Sequence, residues 1–378
     1  MSDAAFSPPR LHGLTGLRWW AAFLVFGYHM LVFAPLPGPI SSFLGQGYLG
    51  VTFFFVLSGF VLTWSWSPTV SKSTFYWRRF ARIYPAHLVA LVIAIPVFYD
   101  LGFGREDLWM KPFDAAIVAL SVLLIHGWWI APVILFSGNP AAWTLTCEAF
   151  FYALHPFASR LLAGRSAQAA LALGAVVIAA AFAYRFAAAG GVLALAQVPT
   201  PVVRLTEFLL GMCVAWAIRA GWRPRIPIWA AIVFVTLLVA AIGTVSTVMP
   251  GSILATVLTV YGNELATVAF GLLIVSVAVH ELDRGPTRFS SPAQVKLGEI
   301  SFAFYLVHAT GIYLALSLFG MQAPSWFNLV WYAAIFLVDL AAGWALYRLV
   351  ERPVERRMRV WKDRPGSGSE GQPILANS

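Results

Sequence analysis

The sequence predicts an all-α fold: a polytopic transmembrane helix bundle of about ten transmembrane helices plus one re-entrant or half-buried segment, with both termini cytoplasmic. Three observations carry that expectation. Hydrophobic residues make up 60% of the 378 positions and charged residues only 11%, and the mean hydropathy is +0.77, far from the balance of a soluble globular chain. Apolar runs long enough to cross ~30 Å of hydrocarbon recur along the whole length. The connections between them alternate between basic and uncharged.

The runs fall near 14–34, 45–66, 82–100, 114–136, 143–163, 167–189, 201–219, 227–247, 255–280, 298–319 and 327–349. The first carries Arg18, is longer than a signal-peptide core and lacks a small-x-small cleavage site, so it is expected to be retained as a span. Connections with Lys72, Arg78 and Arg79, with Arg160 and Arg165, with Arg219, Arg223 and Arg225, and with Arg284, Arg288 and Lys296 are basic. Those at 35–47, 190–200, 248–254 and 320–326 carry no charge. The positive-inside rule puts the basic set in the cytoplasm, together with a tail holding Arg352, Arg356, Arg357, Arg359, Lys362 and Arg364. Both ends inside require an even number of crossings, so one run should be re-entrant. The best suspects are 114–136 and 143–163, joined by the helix-breaking pair Asn139-Pro140. The expected organisation is a cytoplasmic segment 1–10, a membrane domain 11–355, and a tail 356–378 that is basic and then disordered. The net charge of +9 reads as topology and contact with anionic lipid rather than nucleic-acid binding. Cys147 and Cys213 lie in apolar runs and form neither a disulfide framework nor a metal cluster, and no metal site is expected.

Candidate chemistry begins with Arg18 and His29. At ~100° and ~1.5 Å per residue, their spacing returns His29 to within about 20° of the Arg18 face, roughly 16 Å deeper. That would put Arg18 at the water boundary and His29 near mid-membrane, where an ionisable ring faces a protein interior or a wet cavity. It is either a functional group or a neutral ring bonded to a neighbouring helix. The stretch Trp77-Arg78-Arg79-Phe80-Ala81-Arg82 brings arginines together at helical spacing. Their forked guanidinium groups suit phosphate, although topogenic arginines follow the same pattern. Glu148, in Trp143-Thr144-Leu145-Thr146-Cys147-Glu148, is the acid best placed inside the membrane. Near His29 it would orient a general base; otherwise it makes a structural hydrogen bond. Most of Arg185, Arg204 with Glu207, Glu264, His308 and Asp339 are expected to pair within the bundle, Arg204 and Glu207 either bracing their helix or facing an acceptor from outside, while His126 and His155 lie near span ends, where snorkelling costs little. Ser58-Gly59 should permit close helix approach.

Seven of these stretches, in order, resemble the integral-membrane acyltransferase family 3. They are Arg18 through His29; Gly50-Val51-Thr52-Phe53-Phe54-Phe55-Val56-Leu57-Ser58-Gly59-Phe60; Arg79-Phe80-Ala81-Arg82-Ile83-Tyr84-Pro85; and Trp143 to Glu148. The rest are Arg204-Leu205-Thr206-Glu207-Phe208-Leu209-Leu210-Gly211; Leu297 to Phe302 with Tyr305-Leu306-Val307-His308; and Val350-Glu351-Arg352-Pro353. The resemblance implies a bacterial cell-membrane O-acyltransferase. It would move an acyl group, commonly acetyl, from cytoplasmic acyl-coenzyme A to a hydroxyl of a sugar, glycolipid or macrolide. It assigns His29 as the essential catalytic residue, acting as base or acyl carrier, with Arg18 its partner and Glu148 a supporting acid. Arg79 and Arg82, with Arg18 and Arg78 beside them, would bind the coenzyme A phosphates. Where the family usually shows Trp-Ser-Leu-Ser-Val-Glu and a further polar or aromatic residue, this chain has Thr144, Thr146, Cys147 and then Ala149. Some members carry a fused extracytoplasmic domain; without one, the chain either acylates its acceptor directly or works with a separate partner enzyme. The alternative is a non-enzymatic transporter or flippase of a lipid-linked sugar, since intramembrane charges and broken helices also mark transport sites.

Overall fold

The structure, a computed structural model, describes residues 8–362 apart from residues 68, 103–106, 108 and 193–196. Its long helices are α1 (His12–Phe33), α2 (Leu49–Trp64), α3 (Lys72–Phe98), α4 (Trp143–Leu162), α5 (Ala167–Ala189), α6 (Leu205–Arg219), α7 (Ile228–Val248), α8 (Ile253–Arg284), α9 (Pro292–Phe319) and α10 (Asn328–Leu346). A π-turn at Tyr347–Glu351 leads into a final helix, α11 (Arg352–Lys362). Sheet among the described residues is limited to the parallel pair Tyr99–Asp100 and Lys111–Pro112. Nine stretches of the described residues are long and apolar enough to cross a bilayer. Helix α4, with 20 residues, is not among the nine, since it carries Glu148, His155 and Arg160 on a less apolar surface.

The two suspected segments resolve differently. The run 143–163 forms one continuous helix, Trp143–Leu162, whereas 114–136 is broken into Ala115–Val122, a 3-10 turn at His126–Trp128, and Pro132–Leu135. Eight residues reach only ~12 Å, so the first piece cannot span. Leu124, at φ 56°, turns the chain in a left-handed conformation that ends the helix. The backbone groups released there are met from inside the protein. His87 Nε2 donates to the Ser121 carbonyl at 3.0 Å, Ser121 Oγ to Ser137 at 3.0 Å, and Lys111 Nζ to Phe136 at 2.5 Å. Non-helical chain is tolerated at such depth only when it is buried in this way. The break at Asn139-Pro140 is pinned to α9, with Asn139 Nδ2 donating to the Leu306 carbonyl at 2.7 Å.

Lipid supplies little hydrophobic drive for helix association, so close packing has to hold the bundle together. Helices α2 and α6 meet through reciprocal glycines. A Cβ on Gly59 would lie 1.9 Å from the Phe208 carbonyl oxygen, and one on Gly211 would lie 2.0 Å from that of Val56. Helix α1 packs along α9 through aromatic contacts, Trp19 and Phe26 standing 5.2 and 5.8 Å from the Phe304 ring. One apolar cluster gathers α1, α2, α3, α4, α6, α9 and α10, and a second gathers α1, α2, α6, α7 and α8. Helices α1, α2 and α6 belong to both.

The uncharged loops 35–47 and 320–326 meet, with Gln322 N donating to Phe33 O at 2.9 Å and Asn328 Nδ2 to Pro35 O at 2.7 Å. At the opposite end α11 lies on α3, Trp77 Nε1 donating to the Met358 carbonyl at 2.7 Å and the Trp77 ring standing 5.2 Å from Trp361. The start of the basic tail is therefore a docked helix; the run 365–378, expected to be disordered, lies outside the described residues.

Candidate active site

Helix α1 begins at His12, earlier than its apolar run suggests, because the Glu281 carboxylate of α8 accepts the Gly13 N–H at 2.8 and 3.0 Å. That acid satisfies a free amide at the positive end of the helix. Both candidate residues shift accordingly. Arg18 lies almost two turns inside α1 instead of at its edge, and His29 lies about one turn before Phe33, nearer the uncharged face than mid-span.

Arg18 lines three cavities that share walls. The largest, a vestibule of about 560 Å³ at the basic end, is bounded by Arg10, Arg18, Arg79, Arg82, Arg352 and Arg359 together with Glu299 and Glu355. A neck of about 120 Å³ shares Arg18, Val61, Arg79 and Arg82 with it and adds Ser58, Glu148 and Tyr152. The innermost chamber, about 40 Å³, shares Arg18, Phe54, Glu148 and Phe302 with the neck and ends at Thr144 and Tyr305. Tyr305 lies one helical turn from His308, their rings 5.5 Å apart, and His308 in turn meets His29.

The arginines play different parts. Arg82 is ion-paired to Glu351, which is fully buried, and to Glu355 at 3.3 Å, and it lies over the Phe302 ring. Its guanidinium is therefore engaged by protein carboxylates. Arg79 lies over Phe75, and its buried Nε has no hydrogen-bond partner. Arg18 makes no hydrogen bond or ion pair with the described residues, yet lines all three cavities. Arg78 lines none of them.

Glu148 is not brought to His29. It accepts the Tyr152 hydroxyl at 2.8 Å and belongs to the arginine-lined neck. The physical reason is helical register, since Tyr152 follows four residues later on the same face of α4. The neighbour of His29 is His308, whose Nε2 lies 3.1 Å from His29 Nδ1. His29 Nδ1 also lies 3.0 Å from the Val25 carbonyl, and His308 Nδ1 lies 2.7 Å from that of Tyr305. The sequence places His308 among the groups that pair; its motif Tyr305-Leu306-Val307-His308 was the available signal, but the partner lies 279 positions away.

Two of the remaining intramembrane ion pairs brace the bundle, whereas Asp339, expected to pair, makes no ion pair with the described residues and its buried Oδ2 has no hydrogen-bond partner among them. Arg204 pairs with Glu207 at 3.1 Å and donates to Asn263 at 2.7 Å and to Thr52 at 3.0 Å, while Arg185 pairs with Glu264 at 3.1 Å. His126 and His155 do not snorkel. Both are fully buried, His155 stacked on Phe75 with ring centroids 5.4 Å apart. Cys147 and Cys213 are free and buried.

The class the structure defines is a multi-helix membrane bundle with arginine-lined cavities at its basic end, the innermost ending at Tyr305, one turn from the His308–His29 pair, neither of whose rings lines these cavities. Comparison with known proteins makes the class specific. Residues 11–348 match the acyltransferase domain family, and the chain belongs to that family. It is similar to the acyltransferase MdmB of Streptomyces mycarofaciens, 32% identical across 98% of this chain and 100% of the relative. It is also similar to the peptidoglycan O-acetyltransferase OatA of Listeria monocytogenes, 30% identical over 40% of this chain and 24% of the relative. The O-acetyltransferase OatA of Staphylococcus aureus is 27% identical over 43% and 27%. No solved structure matches the chain. The protein is thus a multi-pass membrane O-acyltransferase, not a non-enzymatic transporter of lipid-linked sugar.

Proposed function

We propose that the enzyme takes an acyl group, in the simplest case acetyl, from acyl-coenzyme A at its basic, cytoplasmic end. It transfers that group to a hydroxyl of a carbohydrate, glycolipid or macrolide-type acceptor that approaches from the uncharged face. The observation that carries this reading is the row of three cavities running from an arginine-rich vestibule to Tyr305, one turn from the His308–His29 pair. A coenzyme A molecule has that distribution of chemistry, with charged phosphates at one end and a slender thioester arm at the other. Arg18 and Arg79, whose guanidinium groups are not spent on carboxylates, suit the phosphates. Arg82 then supports the vestibule wall through Glu351 and Glu355. The relative from Listeria is named for O-acetylation of peptidoglycan, which favours a hydroxyl acceptor in the cell envelope.

In this reading His29 is the general base. Its Nδ1 is occupied by Val25 and His308, so Nε2 remains for the acceptor. As the acceptor oxygen attacks the thioester carbonyl, its proton moves to His29 Nε2, the new C–O bond forms and the C–S bond breaks. The imidazolium then returns the proton to the departing thiolate, leaving ester and free coenzyme A thiol. Glu148, held by Tyr152 among the arginines, acts on the donor side by balancing their charge.

The test is His29→Ala in isolated membranes supplied with radiolabelled acetyl-coenzyme A and a cell-envelope fraction. Loss of at least ~100-fold in ester formation is expected, the contribution typical of a general base, with retention of acetyl-coenzyme A on filters unchanged. Undiminished ester formation would remove His29 as the base.

A further inference from the structure

We propose that His308 is a positioning residue that locks His29 into the one tautomer able to serve as a base. The inference rests on the reading of His29 given above. Carbonyl oxygens only accept hydrogen bonds, so the two backbone contacts assign the protons. His308 Nδ1, 2.7 Å from the Tyr305 carbonyl, carries a hydrogen, which leaves Nε2 of the neutral ring as a bare acceptor. His29 Nδ1, 3.0 Å from the Val25 carbonyl, also carries a hydrogen, which it shares with His308 Nε2 at 3.1 Å. The bare nitrogen of His29 is then Nε2, which has no hydrogen-bond partner among the described residues. The opposite tautomer would turn a lone pair onto the Val25 carbonyl and leave no proton between the two rings.

The surroundings hold His308 firmly and His29 less so. His308 is fully buried, stacked on Phe304 at 6.0 Å with an interplanar angle of 19°, and α9 is tied by Asn139 to the carbonyl of Leu306. His29 is only half-buried, as a ring that must meet a substrate should be. The other titratable groups facing the pair are Tyr28 on α1, Tyr305 on α9 and, one turn further along α9 at Gly311, Asp339 of α10. When His29 Nε2 takes the acceptor proton, the Nδ1–H it already shares with His308 becomes a charge-assisted bond, and the proton later leaves by Nε2. His308 gains and loses no proton over the cycle. A carboxylate in this place would hold the imidazolium more tightly; a neutral ring fixes the tautomer while leaving the base free to give its proton back to sulfur.

The experiment uses the full chain in nanodiscs and compares His308→Leu, His308→Gln and His308→Asn. Glutamine places an amide oxygen at the depth of the missing Nε2, whereas asparagine stops short. Two readouts are taken: steady-state transfer from acetyl-coenzyme A to the envelope fraction, and the pH dependence of diethyl pyrocarbonate modification at His29, followed by mass spectrometry. His308→Leu and His308→Asn are expected to lower kcat by about 10- to 100-fold, the range for residues that orient a reacting group, with KM for acetyl-coenzyme A changed less than about twofold. The midpoint of His29 modification should move to lower pH, because the imidazolium has lost its acceptor. His308→Gln should restore both. If His308→Leu fails to fold, the asparagine and glutamine pair decides the matter alone. An unchanged midpoint and kcat in His308→Asn would overturn the inference. The modification readout needs no turnover, so it decides the tautomer even if His29→Ala shows that another group is the base.

Discussion

Arg79 and Arg82 stand one helical turn apart on α3 and look equivalent in the sequence, yet they are held by different neighbours. Removing Arg82 strands Glu351, whose side chain is fully buried, without its counter-ion. Breaking a buried pair from one side costs about 3–5 kcal/mol. Arg82→Ala should therefore lower thermal stability sharply, and Glu351→Gln in the same chain should recover part of the loss. Arg79 has no carboxylate partner to strand, so Arg79→Ala should leave the melting temperature nearly unchanged. It should raise KM for acetyl-coenzyme A by about 10- to 100-fold, the worth of one charge-assisted hydrogen bond to phosphate. Equal losses of stability in the two variants would remove this division of labour. Composition and spacing pointed to the arginine cluster and to Arg18 and His29. They could not reveal which arginine was already engaged, because Glu351 lies 269 positions beyond Arg82. The partner of His308 went unread for the same reason, since His29 lies 279 positions before it.

The glycine pair between α2 and α6 sets how closely those helices approach. Gly59→Ala places a methyl against the Phe208 carbonyl and Gly211→Ala places one against that of Val56, so each should destabilise the bundle by about 1–3 kcal/mol through forced separation. The two share one interface, and the double variant should cost less than the sum of the singles. Additive losses, measured by thermal aggregation of detergent-solubilised protein, would show that the two contacts are independent. Element positions were readable where apolar runs were uninterrupted, as in α5 and α7. Reading failed where tertiary contacts move a boundary. The start of α1 depends on Glu281, and the break in 114–136 depends on Leu124 adopting a left-handed conformation that no composition rule predicts for leucine.

For the molecule as a whole, alternation of basic and neutral loops supports a sidedness that labelling can check. With Cys147 and Cys213 replaced, a single cysteine at position 10 or 362 should resist a membrane-impermeant maleimide in intact cells, and one at position 37 or 323 should react. Reaction at the basic end would invert the orientation and with it the proposed side of donor binding. The bundle class was legible because lipid imposes long apolar helices on any chain that crosses it. The corridor was not, because its walls come from widely separated helices. That wall has a temporal consequence. The vestibule draws on Arg10, on Arg79 and on Arg359, so a ribosome must have made the chain as far as α11 before that vestibule is complete. A nascent chain halted before α11 would hold both imidazoles while its vestibule still lacked Arg352, Glu355 and Arg359.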